Sequence, residues 1–126
     1  MKIFTSYFDN IENCNGLVLI GIAGISPPGF NGLEYKKLAP KRFIYDNYIE
    51  SGDEEEYSRN YFGYVLDKLN PREVIKELEE LSKGKNLVLL CYEKPNQFCH
   101  RQLVRYWMKS ALNLEIKEIC DKKKIF

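Results

Sequence analysis

Apolar residues along this chain fall into two unbroken runs and several helical stripes. Leu87–Cys91 reads Leu-Val-Leu-Leu-Cys, the pattern of a strand buried on both faces. Leu17–Ile25 is the second run and predicts a second buried strand. Its far end carries Gly21, Ala23 and Gly24. Small residues there let a ligand, another backbone or a crossing helix come close. Lys2–Phe8 alternates loosely and is rich in Ile, Phe and Tyr, so it predicts an opening strand. Asp9–Gly16 is polar and reads as a loop with room for a helical turn. Leu114–Ile119 (Leu-Glu-Ile-Lys-Glu-Ile) reads as an alternating segment, which suits an edge strand with one wet face.

Between the strands the period changes to that of a helix. Asp53–Leu69 predicts a helix, with Asp53 and Glu56 at capping-box spacing and Tyr57, Tyr61, Tyr64, Val65 and Leu69 facing the core. Asn70 then restarts the chain as an N-cap, with Pro71 at the first helical position. Val74, Ile75, Leu78 and Leu81 make its apolar stripe, and Gly84 ends it. Cys99–Leu112 is the third major helix. Its buried face is Leu103, Val104, Trp107, Met108, Ala111 and Leu112, and His100 projects on that face at the sheet end. Arg101, Arg105 and Lys109 run along the flank. Ser26–Gly32 is a turn-rich loop. Leu33–Leu38 fits one helical turn before Pro40, and Arg42–Ile49 fits a short strand or an ordered coil. Strands interleaved with helices define an α/β protein, a three-layer Rossmann-like sandwich on a small, mainly parallel sheet. Residues 1–126 form one such domain.

Composition narrows the function classes. Charged residues make up 29% and hydrophobic ones 44%, the balance of an ordinary globular chain. A net charge of +1 gives no bulk argument for nucleic-acid or membrane binding. No apolar run approaches the roughly 20 residues of a membrane span. Met1–Phe8 is too short and mixed for a signal peptide, so the expected setting is the cytoplasm. There Cys14, Cys91, Cys99 and Cys120 are expected to be reduced unless they bind metal or cycle catalytically. Asp121–Phe126 is a basic tail.

The chemistry concentrates between Cys91 and Arg101. A strand ends at Cys91, a loop holding Glu93, Pro95 and Asn96 follows, and Cys99-His100-Arg101 opens a helix. In open α/β sheets ligands sit outside the carboxyl ends of the strands. A helix N-terminus offers free N–H groups and a partial positive charge, so it suits an anion. Arg101 is the candidate anion grip. His100 is the candidate acid or base, Cys99 a supporting thiol or nucleophile, and Glu93 their orienter. Cys91, Ser26, Pro27 and Gly29 complete the expected ligand wall, if the loop after Leu17–Ile25 faces the Cys99 loop across one crevice. A structural role is the alternative: a buried Cys99, a hydrogen-bonded His100 and an Arg101 paired with Glu93. No glycine-rich cradle separates Cys99 from Arg101, unlike cysteine phosphatases and sulfurtransferases. Metal ligation is not expected, because Cys91 and Cys99 are widely spaced and adjacent helical residues 99 and 100 point apart. No cofactor is expected.

The run Leu-Leu-Cys-Tyr-Glu-(x5)-Cys-His-Arg-(x)-Leu resembles the signature of the uncharacterised-domain family numbered 488. Leu38-Ala39-Pro40, the Gly52 turn followed by Tyr57 and Tyr61, and the Pro-containing loop Ser26–Phe30 resemble further parts of that pattern. The resemblance spans most of residues 17–119. It implies a Rossmann-like α/β domain with Cys91, Glu93, Cys99, His100 and Arg101 as matched site positions, and no specified reaction. Lys94 stands where acidic residues would follow the Glu.

These observations lead to the expectation of a small protein that binds a nucleotide-like or other phosphate-bearing ligand, and can process it, at the Cys-His-Arg helix start. The alternative is a non-catalytic nucleic-acid or nucleotide-signal binding module, suggested by Arg101, Arg105 and Lys109. A third reading is an interaction protein of the kind that phages and mobile elements carry.

Overall fold

The structure is a computed structural model that describes residues 1–95 and 97–120. The basic tail lies outside the described residues, as does Asn96 of the expected turn. Among these residues five parallel strands form one sheet: β1 (Ile3–Tyr7), β2 (Val18–Gly21), β3 (Leu33–Glu34), β4 (Leu87–Cys91) and β5 (Lys117–Glu118), in the order β3-β2-β4-β1-β5. Four α-helices join them: α1 (Arg42–Ser51), α2 (Glu54–Tyr64), α3 (Pro71–Ser82) and α4 (His100–Leu112). Strand β4 lies in the centre, with Leu89 opposite Thr5 on one side and Ile20 on the other. Its unbroken apolar run follows from that position: every residue of β4 is buried.

The two faces of the sheet are covered unequally. Leu87 and Leu89 point toward the helical side, where Ile44 of α1, Tyr61 of α2, Leu78 of α3 and Met108 of α4 close the main core. Val88 and Leu90 point the other way, onto a smaller cluster with Phe8, Cys14 and Ala23. That third layer is thin, a 3-10 helix at Phe8–Asn13 and the loop carrying Phe30. Polar bonds anchor it to the end of the sheet: Ser6 Oγ and Asn10 Nδ2 both donate to the Ile119 carbonyl, at 2.8 and 3.1 Å.

Local signals account for most boundaries. Asp53 Oδ1 accepts from the Glu56 N–H at 3.0 Å, and Asn70 Oδ1 accepts from the Arg72 N–H at 2.9 Å. Pro71 sits where a missing N–H costs nothing. Gly52 closes α1 in the left-handed conformation, φ 64°. Gly32 serves a close approach instead, since a Cβ there would meet the Leu19 carbonyl oxygen at 2.8 Å.

Several expectations are corrected. Arg42–Ile49 is helical, not strand or coil. Its aromatic and β-branched content mimics a strand, but Ile44 and Tyr48 stand one turn apart and seat the segment on the core, leaving Phe43, Tyr45 and Ile49 exposed. Leu17–Ile25 leaves the sheet after Gly21. The Ile22 N–H still bonds the Leu90 carbonyl, but Ile25 is 80% exposed. Leu33–Leu38 divides into β3 and a 3-10 turn at Lys36–Leu38. Tyr64 faces solvent and packs edge-on against Phe43 rather than entering the core. Leu81 and Ala111 also lie at the surface.

Central placement of β4 sets an expected cost. Leu89→Ala empties a fully buried site between sheet and helices, and should destabilise the protein by about 3 kcal/mol in urea unfolding.

Candidate functional site

The chain leaves β2 toward the β3 edge and leaves β4 toward the β5 edge. Neighbouring strands whose exits diverge open a crevice at their carboxyl ends. A cavity of about 580 Å³ lies there. Ala23, Gly24 and Ile25 line it after β2, and Cys91, Tyr92 and Glu93 after β4. His100 of α4, Tyr57 of α2, and Pro40, Arg42, Tyr45 and Asp46 around the start of α1 complete it. The volume suits a small organic ligand.

Cys91 and Cys99 are joined as a disulfide beneath this cavity. Cys99 is the N-cap of α4, with extended backbone at φ −153° and ψ 148°. It is therefore not on the helix, and the expectation that residues 99 and 100 point apart fails. Cys99 Sγ lies 3.7 Å from His100 Nδ1. Among the described residues, the donor atoms of Cys91, Cys99 and His100 lie within 4.8 Å of one another. They are the one such group of three His, Cys, Asp or Glu side chains placed to share a metal ion; in the disulfide form both sulfurs are already committed.

His100 is buried, and its Nε2 contacts the Ile22 carbonyl oxygen at 2.7 Å. A carbonyl only accepts, so Nε2 carries the proton and donates. Nδ1 is then the unprotonated nitrogen, and it faces sulfur. Burial pushes the imidazole pKa from 6.5 down to about 4, with the Arg101 charge adding to the fall and the Ile22 bond opposing it. The ring is neutral at pH 7. Its orienting partner is Ile22 rather than Glu93.

Arg101 differs most from expectation. Its guanidinium is fully buried instead of lying on a wet flank. Nε and Nη2 donate to the Glu118 carboxylate at 3.1 and 2.8 Å, and Nη1 donates to Cys91 Sγ at 2.9 Å. Tyr7 lies beneath it, 5.9 Å from ring centre to guanidinium carbon. The ion-pair partner is Glu118, not Glu93. On the same flank, Arg105 donates to the Ile116 carbonyl and to Gln102 Oε1, both at 2.8 Å. The basic stripe behind the nucleic-acid reading is thus largely consumed internally.

Glu93 lines the cavity, and its charge reinforces the burial that raises the Tyr57 phenol well above its ordinary range. Ser26, Pro27 and Gly29 are not among the cavity-lining residues. Ser26 Oγ donates to Glu34 at 2.7 Å, and Phe30 packs edge-on against Phe8, so this loop turns toward the thin layer. The wall expected from it comes instead from the preceding Ala23–Ile25. Glu118 escaped the sequence reading because a charged residue was not expected on the inward face that it shares with Leu114 and Ile116. Its register opposite Thr5, whose hydroxyl donates to it at 2.5 Å, brings it inward. The cavity residues Pro40 and Tyr57 did have a signal, in the family-like Leu-Ala-Pro and spaced tyrosines.

Fold and site together define a small α/β domain with a thiol, imidazole and guanidinium site at the carboxyl ends of parallel strands. The family model described as the active DUF488-N3 subclade matches residues 18–112, and the chain belongs to this family. No curated protein and no solved structure matches the chain. Among the described residues, no helix is long and apolar enough to cross a membrane.

Two outcomes follow from the buried charges. Between about pH 6.5 and 4 the unfolded chain takes up a proton at His100 that the folded chain refuses. The His100 contribution is therefore complete above about 6.5 and lost as pH falls toward 4. His100→Gln should flatten stability against pH in that window by up to about 3 kcal/mol, measured by urea unfolding at each pH. Glu118→Ala strands the Arg101 guanidinium and should cost about 3–5 kcal/mol. The neighbouring exposed Lys117→Ala should stay within about 0.5 kcal/mol.

Proposed function

We propose that this protein binds a nucleotide-like or other small phosphate-bearing ligand in the cavity at the β2–β4 crevice and processes it with the Cys91 thiol in its reduced form. The observation that carries this reading is Cys91 at the cavity wall with the Arg101 guanidinium 2.9 Å from its sulfur. A guanidinium donor favours the thiolate, the nucleophilic form. His100, with Nδ1 free to accept a hydrogen bond, holds the second thiol in place beside Cys91. The family description as an active subclade accords with an intact reacting group.

The rest of the wall supports the ligand class. Tyr45, Tyr57 and Tyr92 supply aromatic surface for a flat apolar body. The N-terminal end of α4 reaches the cavity at His100, so the positive helix end faces a bound anion. The exposed cation at the rim is Arg42 rather than Arg101. Its side chain is 93% exposed and only loosely paired with Asp46 at 3.7 Å. Arg42 takes over the phosphate-gripping role that the sequence suggested for Arg101, and Glu93 lies across the cavity as a ribose or base acceptor.

Isothermal titration against mononucleotides and sugar phosphates tests this. Wild-type protein, kept reduced, should bind at least one of them. Arg42→Glu should weaken that binding about tenfold while leaving the fold unchanged. Equal affinity in both proteins would remove Arg42 from the site, and no binding by either would remove the ligand class.

A further inference from the structure

We infer that Cys91 and Cys99 are a peroxide-reactive redox pair, with Cys91 the attacking thiol and Cys99 the resolving one. Ligand processing is then confined to the dithiol form. The inference rests on the proposed access of small molecules to Cys91 through the cavity. It goes beyond that reading by naming an oxidant, a product state and an order of events.

Three features of the surroundings divide the roles. First, the sulfurs already lie within bonding reach, on the end of a central strand and on the N-cap of the helix that follows it. No segment has to travel for one to react with the other. Second, the charge is asymmetric. Arg101 Nη1 donates to Cys91, while Cys99 faces the unprotonated Nδ1 of a neutral histidine. In the dithiol form that donor favours the Cys91 thiolate, the attacking species. Cys99 has an acceptor, Nδ1, that orients its S–H when its turn comes. Third, Cys91 borders the cavity but Cys99 is not among its lining residues. Both residues are buried, Cys91 at 0% and Cys99 at 3% exposure. A protein disulfide cannot reach sulfurs so buried, so the oxidant class the site suits is a small one such as a hydroperoxide.

The chemistry balances in two steps. The Cys91 thiolate attacks the terminal oxygen of a hydroperoxide. An S–O bond forms, the O–O bond breaks, and the departing alkoxide takes a proton and leaves as alcohol, or as water when the oxidant is hydrogen peroxide. Cys91 is then a sulfenic acid. Cys99, its S–H directed at His100 Nδ1, attacks the Cys91 sulfur. The S–S bond forms, the S–O bond breaks, and the departing hydroxide takes up the Cys99 proton and leaves as water. Two thiols have lost two electrons to one peroxide. Two equivalents of a small external thiol restore the dithiol by exchange and leave as their own disulfide. The remaining cysteines lack this arrangement: the buried Cys14 thiol donates to the Asn10 carbonyl, and burial raises its pKa.

Reduced protein treated with one equivalent of hydrogen peroxide tests the pair. Peptide mapping by mass spectrometry should show a Cys91–Cys99 disulfide and two fewer free thiols, with Cys14 and Cys120 still alkylatable. In Cys99→Ser, Cys91 should stop at the sulfenic acid and take up dimedone, about tenfold above Cys120. In Cys91→Ser, Cys99 should take up none. The wild-type thiol count needs no substituted protein to fold. Free Cys91 and Cys99 beside an oxidised Cys120, or dimedone on Cys99 in Cys91→Ser, would overturn the assignment. Nucleotide titration of the reduced protein is read separately, so the ligand reading and the redox reading can fail independently.

Discussion

A single buried guanidinium ties the site to the sheet. Arg101 is among the largest fully buried side chains, and it reaches three strands at once: Glu118 on β5, Cys91 on β4 and the Tyr7 ring on β1. Burying such a group without a counter-charge is prohibitive, so Glu118 must be inside wherever Arg101 is. That requirement explains an otherwise weak element. A strand as short as β5 makes few ladder bonds, yet its position at the sheet edge is fixed by an ion pair, by the Thr5 hydroxyl and by the bonds to the Ile119 carbonyl. Because all three guanidinium nitrogens are engaged within the fold, Arg101 meets the cavity wall only through the Cys91 sulfur.

The remaining geometry follows from strand order. With β2 and β4 adjacent and parallel, and their exits diverging, the crevice between them is unavoidable. Helices α1 and α2 pack on one side of the sheet and bring Tyr45 and Tyr57 over that crevice. Extended backbone at Cys99, just before α4 begins, turns its sulfur back toward Cys91 while His100 starts the helix and reaches Ile22. The Ile22 carbonyl is itself available because β2 has already ended. An early strand end on one side and a helix start on the other thus fix the imidazole in one tautomer.

Much of this was legible in the sequence, and the failures have physical causes. The buried strands, the capped starts of α2 and α3, and the Cys-His-Arg helix start each depend on local pattern, and local pattern is what a sequence displays. Arg42–Ser51 misled because aromatic and β-branched residues suit a strand until tertiary packing selects only Ile44 and Tyr48 for burial. Ser26, Pro27 and Gly29 were expected at the cavity because their loop leaves the correct sheet end; Phe30 instead draws that loop onto Phe8. Glu118 was hidden because its pairing depends on a residue 17 positions away and on an edge register that no local rule predicts. It also lies beyond the span matched by the family model, which ends at residue 112. The carboxylate completing the site is therefore supplied by a part of the chain that the family pattern does not reach.

The central claim is that Arg101 serves the site from within, held between Glu118 and the Cys91 sulfur. A crystal structure of the reduced protein, with a nucleotide or sugar phosphate soaked into it, tests that most directly. The guanidinium should remain buried on Glu118 with Nη1 on the Cys91 sulfur, and the ligand phosphate should lie near Arg42. An Arg101 swung out to bind the phosphate itself, leaving Glu118 paired elsewhere, would contradict the account.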